Sequence, residues 1–288
     1  MELRVLRYFL MTAREENITR AAQLLHITQP TLSRQLMQLE EELGVKLFNR
    51  GKYNVSLTEE GMLLKRRAQE LVSLADKTVS ELSHRDEIVS GEVSIGCGET
   101  KSMAFLSDCI ISFREKHPLV QFDIYSAIAD DIKERIEKGI ADIGLLVEPV
   151  DIGKYEFLRL PEKEKWGIWA RKDSPLAEKD AVTPEELAEV PLIISMREAV
   201  RNEIASWFGD YYDELNIAAT YNLGINAVAM VRQGVGAALG FDLGAFYEDV
   251  CFIPMKPMRE TGSVVVWKKN QALPDAAKMF IEHIKNAV

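Results

Sequence analysis

Between Gln29 and Gln38 the 288-residue chain places Gln29, Thr31, Ser33, Arg34, Gln35 and Gln38 in one short run. These side chains can donate and accept hydrogen bonds toward base edges and phosphates, which is the chemistry a helix needs in a DNA major groove. They can act together only if the apolar residues among them face elsewhere. Leu32, Leu36, Leu39 and Leu43 recur at three- and four-residue steps, the stripe of an amphipathic helix. Thr28 is placed to cap that helix, and Pro30 falls in its first turn, where a missing backbone donor costs nothing. The free N–H groups of such a terminus also suit a backbone phosphate. Gly44 is placed to end it. A helical hairpin inside an all-helical domain is the competing reading, and the flanking residues weigh against it.

Those flanks supply the elements that must hold the reading helix. Thr19, or Asn17 just before it, can cap a preceding short helix whose small residues Ala21 and Ala22 allow close crossing. Further upstream Leu3, Leu6, Leu10 and Ala13 form another stripe, with Phe9 beside it. Downstream, Leu47 to Leu57 reads as two short strands around the turn residues Asn49, Gly51 and Asn54, a small hairpin wing. Arg50 and Lys52 at its tip would lie near the flanking minor groove or phosphates.

A net charge of −10 opposes DNA binding until it is divided. Residues 1–58 hold eight basic and six acidic side chains, a net of +2, and residues 59–87 hold five and seven, a net of −2. The remaining −10 therefore belongs to residues 88–288, which would stay off the DNA. So modest a basic footprint predicts that tight binding needs two or more copies of the reading head. No run approaches ~18 uninterrupted apolar residues, so no membrane span is indicated. The N-terminal MELRVLRYFL has charges inside its apolar run and leads into a needed helix, unlike a signal peptide. Three cysteines at unrelated spacings argue against a disulfide framework and for a reducing, cytoplasmic setting. Cys97 and Cys109 read as buried structural residues, since Glu99 close to Cys97 would oppose thiolate formation. His26, His84, His117 and His283 have no metal-ligand spacing, and neither a nucleophile elbow nor a phosphate-binding glycine loop is present. No catalytic residue, metal site or cofactor is expected.

From Thr58 to about Arg85 a long helix is predicted, started by Thr58, Glu59 and Glu60. Leu64, Ala68, Leu71, Ala75, Thr78 and Leu82 follow coiled-coil spacing, although some of them could simply pack on their own domain. From Gly91 the texture changes to strand–helix–strand–helix–strand: Val93–Cys97, Ser102–Lys116, Val120–Tyr125, Asp130–Lys138 and Asp142–Val147. That order implies a parallel sheet with right-handed crossovers. It recurs through Gly167–Ala170, Leu192–Ile194, Arg197–Gly209, Ala218–Tyr221, Asn226–Gln233 and Gly234–Gly240. Ser263–Trp267 and Ala276–Ile284 add a last strand and helix. Two α/β lobes with a cleft follow, one at about 91–160 plus 266–288 and the other at about 161–265.

Ligands of open α/β sheets bind beyond the carboxyl ends of strands. That points to Glu99, Thr100, Lys101 and Ser102 after the first strand, Ser126 after the second, Ser195, Met196 and Arg197 in the other lobe, and Asn222 and Gly224 after a later strand. A small anion, best a carboxylate, held between Lys101 or Arg197 and the hydroxyls is the effector reading. The alternative is that Thr100 or Ser102 caps its helix and both basic residues are solvated.

The run AAQLLHITQPTLSRQLMQLEEELGVKLFNR followed by LTEEG closely resembles the winged helix-turn-helix of LysR-type transcriptional regulators. GEVSIG, FREKHPLVQFDI, IEKGIADIGLL, SPLA and VRQGVGAALGF resemble the periplasmic-binding-protein-like effector domain of the same family. The resemblance implies an α/β multidomain chain: a mainly α winged helix-turn-helix at 1–58, a linker helix at 59–87 and an effector domain at 91–288. It implies DNA contacts by Gln29, Pro30, Thr31, Ser33 and Arg34 and by the wing arginine Arg50, while Gly51-Lys52-Tyr53-Asn54 lacks the second arginine often seen there. Thr100, Ser102, Ser126 and Ser195 fall near the family's effector positions. Double-stranded DNA and a small-molecule effector are the implied ligands, with a homodimer through the linker helix and a homotetramer expected. A solute-binding transport component would fit the two lobes, but residues 1–87 and the missing signal peptide oppose it, and an enzyme lacks a site.

Overall fold

The computed structural model describes residues 1–50, 55–83, 89–244 and 247–288. The chain divides into two compact units, Met1–Arg85 and Asp86–Val288. In the first, α1 spans Leu3–Glu15, α2 Ile18–Leu24 and α3 Gln29–Leu43. Asn17, not Thr19, caps α2, its side chain accepting the Arg20 N–H at 2.9 Å. Thr28 caps α3 by accepting the Thr31 N–H at 3.4 Å, and Gly44 ends it in the left-handed region at φ 70°. The turn between α2 and α3 is made by His26 at φ 54°, a backbone state that a non-glycine residue adopts uncommonly.

Leu32, Leu36 and Leu39 are buried beneath α3, but Leu43 is 39 % exposed because the helix has by then passed the core. On α1 the buried face is Val5, Leu6, Phe9 and Ala13, with Phe9 fully buried and Leu3 exposed. Leu6, Ala13 and the half-buried Leu10 thus keep the expected stripe, Leu3 falls outside it, and Phe9 is its centre. Each such fully buried side chain contributes about 1.5–3 kcal/mol. Strands β1 (Phe48–Arg50) and β2 (Val55–Leu57) pair antiparallel, with Phe48 opposite Leu57 and its ring 5.3 Å from that of Phe9.

Helix α4 spans Glu59–Ser83. Thr58 caps it, accepting the Gly61 N–H at 3.0 Å while its hydroxyl donates to the Lys46 carbonyl at 2.7 Å. Gly61 is required here, because a Cβ would lie 2.1 Å from the Leu47 carbonyl oxygen. Ala68 is buried and Leu64 and Val72 pack beside it on the core formed by α1 to α3. The expected seam is thus partly spent within the unit. The apolar residues left exposed are Met62, Leu63, Leu71, Leu74 and Val79.

In the second unit β3 (Gly91–Cys97), β4 (Val120–Ser126) and β5 (Ile143–Val147) form a parallel core, covered by α5 (Met103–Lys116) and α10 (Asp275–Ala287) on one face and α6 (Ala129–Glu137) on the other. The other lobe has parallel β7 (Leu192–Ser195), β8 (Ile217–Tyr221) and β9 (Ala237–Phe241), flanked by α7 (Pro184–Ala188), α8 (Glu198–Phe208) and α9 (Gly224–Arg232). Strands β6 (Tyr155–Arg171), β10 (Val250–Pro254) and β11 (Glu260–Lys268) pair antiparallel, so the sheets are mixed. The order is β4-β3-β5-β11-β6-β9-β7-β8, with β10 also on β6. Both β6 and β11 run between the lobes. Ser263, Val264 and Val265 pair with Val147, Leu146 and Leu145 of β5, which places the return crossover before Ser263 rather than after Val265.

Candidate functional site

The burial of α3 on one side fixes what its other side shows. Gln29, Pro30, Thr31, Arg34 and Gln38 are exposed, and Ser33 and Gln35 are half-buried. Thr31 Oγ1 lies 2.8 Å from Thr28 Oγ1, and Gln35 Nε2 donates to Gln38 Oε1 at 3.1 Å, so neighbours hold these rotamers. Most nearby cations are paired: Arg20 with Glu15 at 2.8 Å, Lys46 with Glu40 at 3.3 Å, Arg7 with Asp76. Among the described residues Arg34 has no ion-pair partner, which leaves its charge for an external anion. Arg50 ends β1; Lys52 lies outside the described residues.

Glu40 was legible only as part of an acidic run, yet it is 2 % exposed. Its Oε1 accepts the Leu47 N–H at 2.9 Å and the Phe48 N–H at 3.2 Å, tying the end of α3 to the first strand of the wing.

The second site is the interlobe cleft, about 770 Å³ counting its open mouth. Of the expected residues, Glu99, Ser195, Arg197, Asn222 and Gly224 line it, while Met196 is 55 % exposed elsewhere. Thr100, Lys101, Ser102 and Ser126 do not line it, and each departure has a physical cause. Thr100 is buried, its hydroxyl donating to the Glu164 carboxylate, lying 3.1 Å from Ser263 Oγ and accepting the Ser102 N–H at 3.0 Å. Ser102 is fully buried and its Oγ has no hydrogen-bond partner. Lys101 reaches across to the other lobe and pairs with Asp242 at 2.5 Å. Ser126 is exposed at the end of the edge strand β4. Residues 100–102 of the loop after β3 are therefore committed to protein partners or buried, while Gly98 and Glu99 of the same loop face the cleft.

Arg197 precedes α8, and its backbone N–H donates to Ser195 Oγ at 3.3 Å. One guanidinium nitrogen donates to the Pro149 carbonyl at 3.0 Å, while Nε is buried with no partner. Burial lowers the Arg197 pKa, with Asp130 opposing that shift. A half-desolvated guanidinium with an unused donor is a receptor for an anion.

Sequence reasoning placed Glu99 at the strand end without a role of its own, and it missed the aromatic wall of Trp166, Trp169, Tyr221 and Phe241. Glu99 leaves β3 in one lobe and accepts the Gly224 N–H and, at 3.3 Å, the Ile225 N–H at the start of α9 in the other. The Trp166–Phe241 edge-to-face pair, 4.5 Å between centroids, could have been suspected from the tryptophans bracketing Gly167 and Ile168. Both expected structural cysteines are buried. The Cys97 thiol is pushed up to about 11 by burial first and then by Glu99, and burial also raises that of Cys109. Among the described residues no His, Cys, Asp and Glu cluster could hold a metal, and no helix is long and apolar enough to cross a membrane.

Family models match both units of the chain. Residues 3–62 match the family described as bacterial regulatory helix-turn-helix protein, lysR family, and residues 87–288 match the LysR substrate binding domain. The transcriptional activator IlvY of Salmonella typhimurium is 31 % identical over 241 residues, covering 83 % of this chain and 82 % of that protein. The Hca operon transcriptional activator HcaR of Escherichia coli is 28 % identical over 98 % of this chain and 96 % of its own. In fold, the chain is similar to full-length CbnR crystallised with its target DNA, with a TM-score of 0.76, 21 % identity and full coverage of both chains. It is also similar to HinK of Pseudomonas aeruginosa, with a TM-score of 0.57, 25 % identity and coverage of 99 % of this chain and 98 % of that one. The helices α1 to α3 with their β-hairpin, the long α4 and the two-lobed α/β domain, matched over nearly the whole chain, place this protein in the LysR family of DNA-binding transcriptional regulators.

Proposed function

We propose that α3 reads the major groove through Gln29, Pro30, Thr31, Ser33 and Arg34, with Arg50 and Lys52 of the wing on the flanking backbone, and that a small carboxylate in the interlobe cleft modulates this binding. The observation that carries the DNA half is Arg34, exposed and without a counter-ion among the described residues, on a helix whose opposite face is buried. Arg197 carries the effector half, since its buried Nε lacks an acceptor and Ser195 stands beside it. Two chains pair through the exposed apolar side of α4, Leu63, Leu71 and Leu74, which doubles the modest basic footprint. Pairs of such dimers would make the expected tetramer. Occupancy of the cleft shifts DNA binding only if the ligand binds two lobe arrangements unequally.

Footprinting on genomic fragments, with and without metabolite extracts, tests both halves. Arg34→Ala should cost about 1–3 kcal/mol at a specific site. Arg197→Gln should leave the bare footprint intact and abolish its response to metabolites. An unchanged footprint for Arg34→Ala removes the reading assigned to α3. A preserved metabolite response in Arg197→Gln removes the cleft assignment.

A further inference from the structure

The charge inside the cleft is small and specific. Among its lining residues only Glu99 and Arg197 carry charge, and most of the remainder is apolar or aromatic. Lys101, the other basic candidate, is spent on Asp242. The two charged groups come from opposite lobes: Glu99 follows β3, and Arg197 follows β7.

The Glu99 carboxylate is held in place by the Gly224 and Ile225 amides of α9. A helix N-terminus favours an anion, so this acid is pre-positioned rather than free to swing. A carboxylate offers about four acceptor sites, so the two amides leave about two for another donor. Aromatic side chains of the same cleft, Trp166, Trp169, Tyr221 and Phe241, add a surface on which organic cations are favoured. A fixed acid with spare lone pairs among aromatic rings is a receptor for a protonated nitrogen. A ligand with only a carboxylate would bring a second negative charge into the same low-dielectric space as Glu99, and that like-charge contact is costly.

We propose that the effector is a small zwitterion with an apolar side chain, its carboxylate directed to Arg197 and its ammonium to Glu99. Glu99 is then the residue that determines ligand charge. This inference rests on the reading of the cleft as the effector site and adds the cationic half to it. A ligand of zero net charge leaves neither Glu99 nor Arg197 uncompensated when the lobes exclude water.

Isothermal titration of the full-length chain with matched compounds tests this: L-norvaline against pentanoate, L-leucine against 4-methylpentanoate, and L-phenylalanine against 3-phenylpropanoate. For at least one pair, the amino acid should bind wild type about tenfold or more tighter than its des-amino partner. Glu99→Gln keeps a carbonyl for the α9 amides, so the variant should melt close to wild type. It should also bind both members of that pair within about twofold of each other. Tighter or equal binding of the des-amino acids by wild type, lost in Arg197→Gln, overturns the inference while leaving the carboxylate reading in place. No binding by any of these compounds also overturns it, and the Arg197→Gln footprint then decides the cleft reading separately. An amino-acid preference that survives in Glu99→Gln removes Glu99 from the role.

Discussion

Glu40→Ala is the perturbation that most directly probes how the reading head is held. Glu40 is 2 % exposed and accepts the Leu47 and Phe48 amides at 2.9 and 3.2 Å. Truncation strands both amides in a buried environment, at about 1–3 kcal/mol each, and charged acceptors lie toward the upper part of that range. The Lys46 partner is 76 % exposed, so its ion pair adds less than about 1 kcal/mol. The loss is therefore about 3 kcal/mol or more, a large share of the roughly 5–15 kcal/mol that holds a domain together. For a unit of this size that lowers the melting temperature by about 12–24 °C. Glu40→Gln keeps one carbonyl acceptor and should lose about 1 kcal/mol. Circular dichroism melts of the full chain, with hydrogen exchange read at the Leu47 and Phe48 amides, measure both. If Glu40→Ala melts within about 2 °C of wild type and those amides stay protected, the carboxylate does not hold the wing and the calculation is wrong.

Three further outcomes follow from the same geometry. Leu71→Asp together with Leu74→Asp should shift the chain toward monomer in sedimentation velocity, because these residues are 42 % and 40 % exposed on α4 and each contributes about 1.5–3 kcal/mol when covered. An unchanged mass would move the dimer contact elsewhere. Cys97, held at about 11, should react with iodoacetamide near neutral pH about a hundredfold slower in the native chain than in denaturant, and rapid native labelling would contradict its burial. The His283 pKa is lowered by burial first and then by Lys116 and His117, so the unfolded chain binds the proton more readily. Stability should accordingly be flat above the ordinary histidine value of about 6.5 and fall as pH drops below it. His283→Gln should flatten that fall in urea midpoints, and an unaltered slope would show that another group titrates.

The reading helix was legible because its signals are local: Thr28, Pro30, the leucine spacing and Gly44 all act within one turn of where they occur. Strands β3, β5 and β9 were legible for the same reason, as buried apolar runs bounded by glycine. The middle of β6 was hidden by Glu162, Lys163, Glu164 and Lys165, whose charges look like a loop although the last three pair with Gly262, Thr261 and Glu260 of β11. Strand β10 was missed because Val250–Pro254 is short and ends in proline. The face of α4 could not be chosen from spacing alone. Leu63 and Leu64 begin neighbouring stripes, and only packing against the core of the first unit turns Leu64 and Ala68 inward. Glu99 was seen as part of a loop, but its partners Gly224 and Ile225 are far along the chain and meet it only when the lobes close together.

The ladder between β6 and β11 is interrupted at one place: Arg159 pairs with Val264 and Lys163 with Gly262, so Leu160, Pro161 and Glu162 face Ser263 alone. Pro161 has no amide hydrogen to contribute there. On either side the two strands pair with each other again, and Ser263 itself is held by Val147 of β5, so the gap lies wholly on the β6 side. The hydroxyl of Thr100 touches both strands beside this gap, donating to Glu164 of β6 and lying 3.1 Å from Ser263 Oγ of β11. Glu99, one residue before Thr100, is therefore anchored both to the ribbon that joins the lobes and to the first amides of α9.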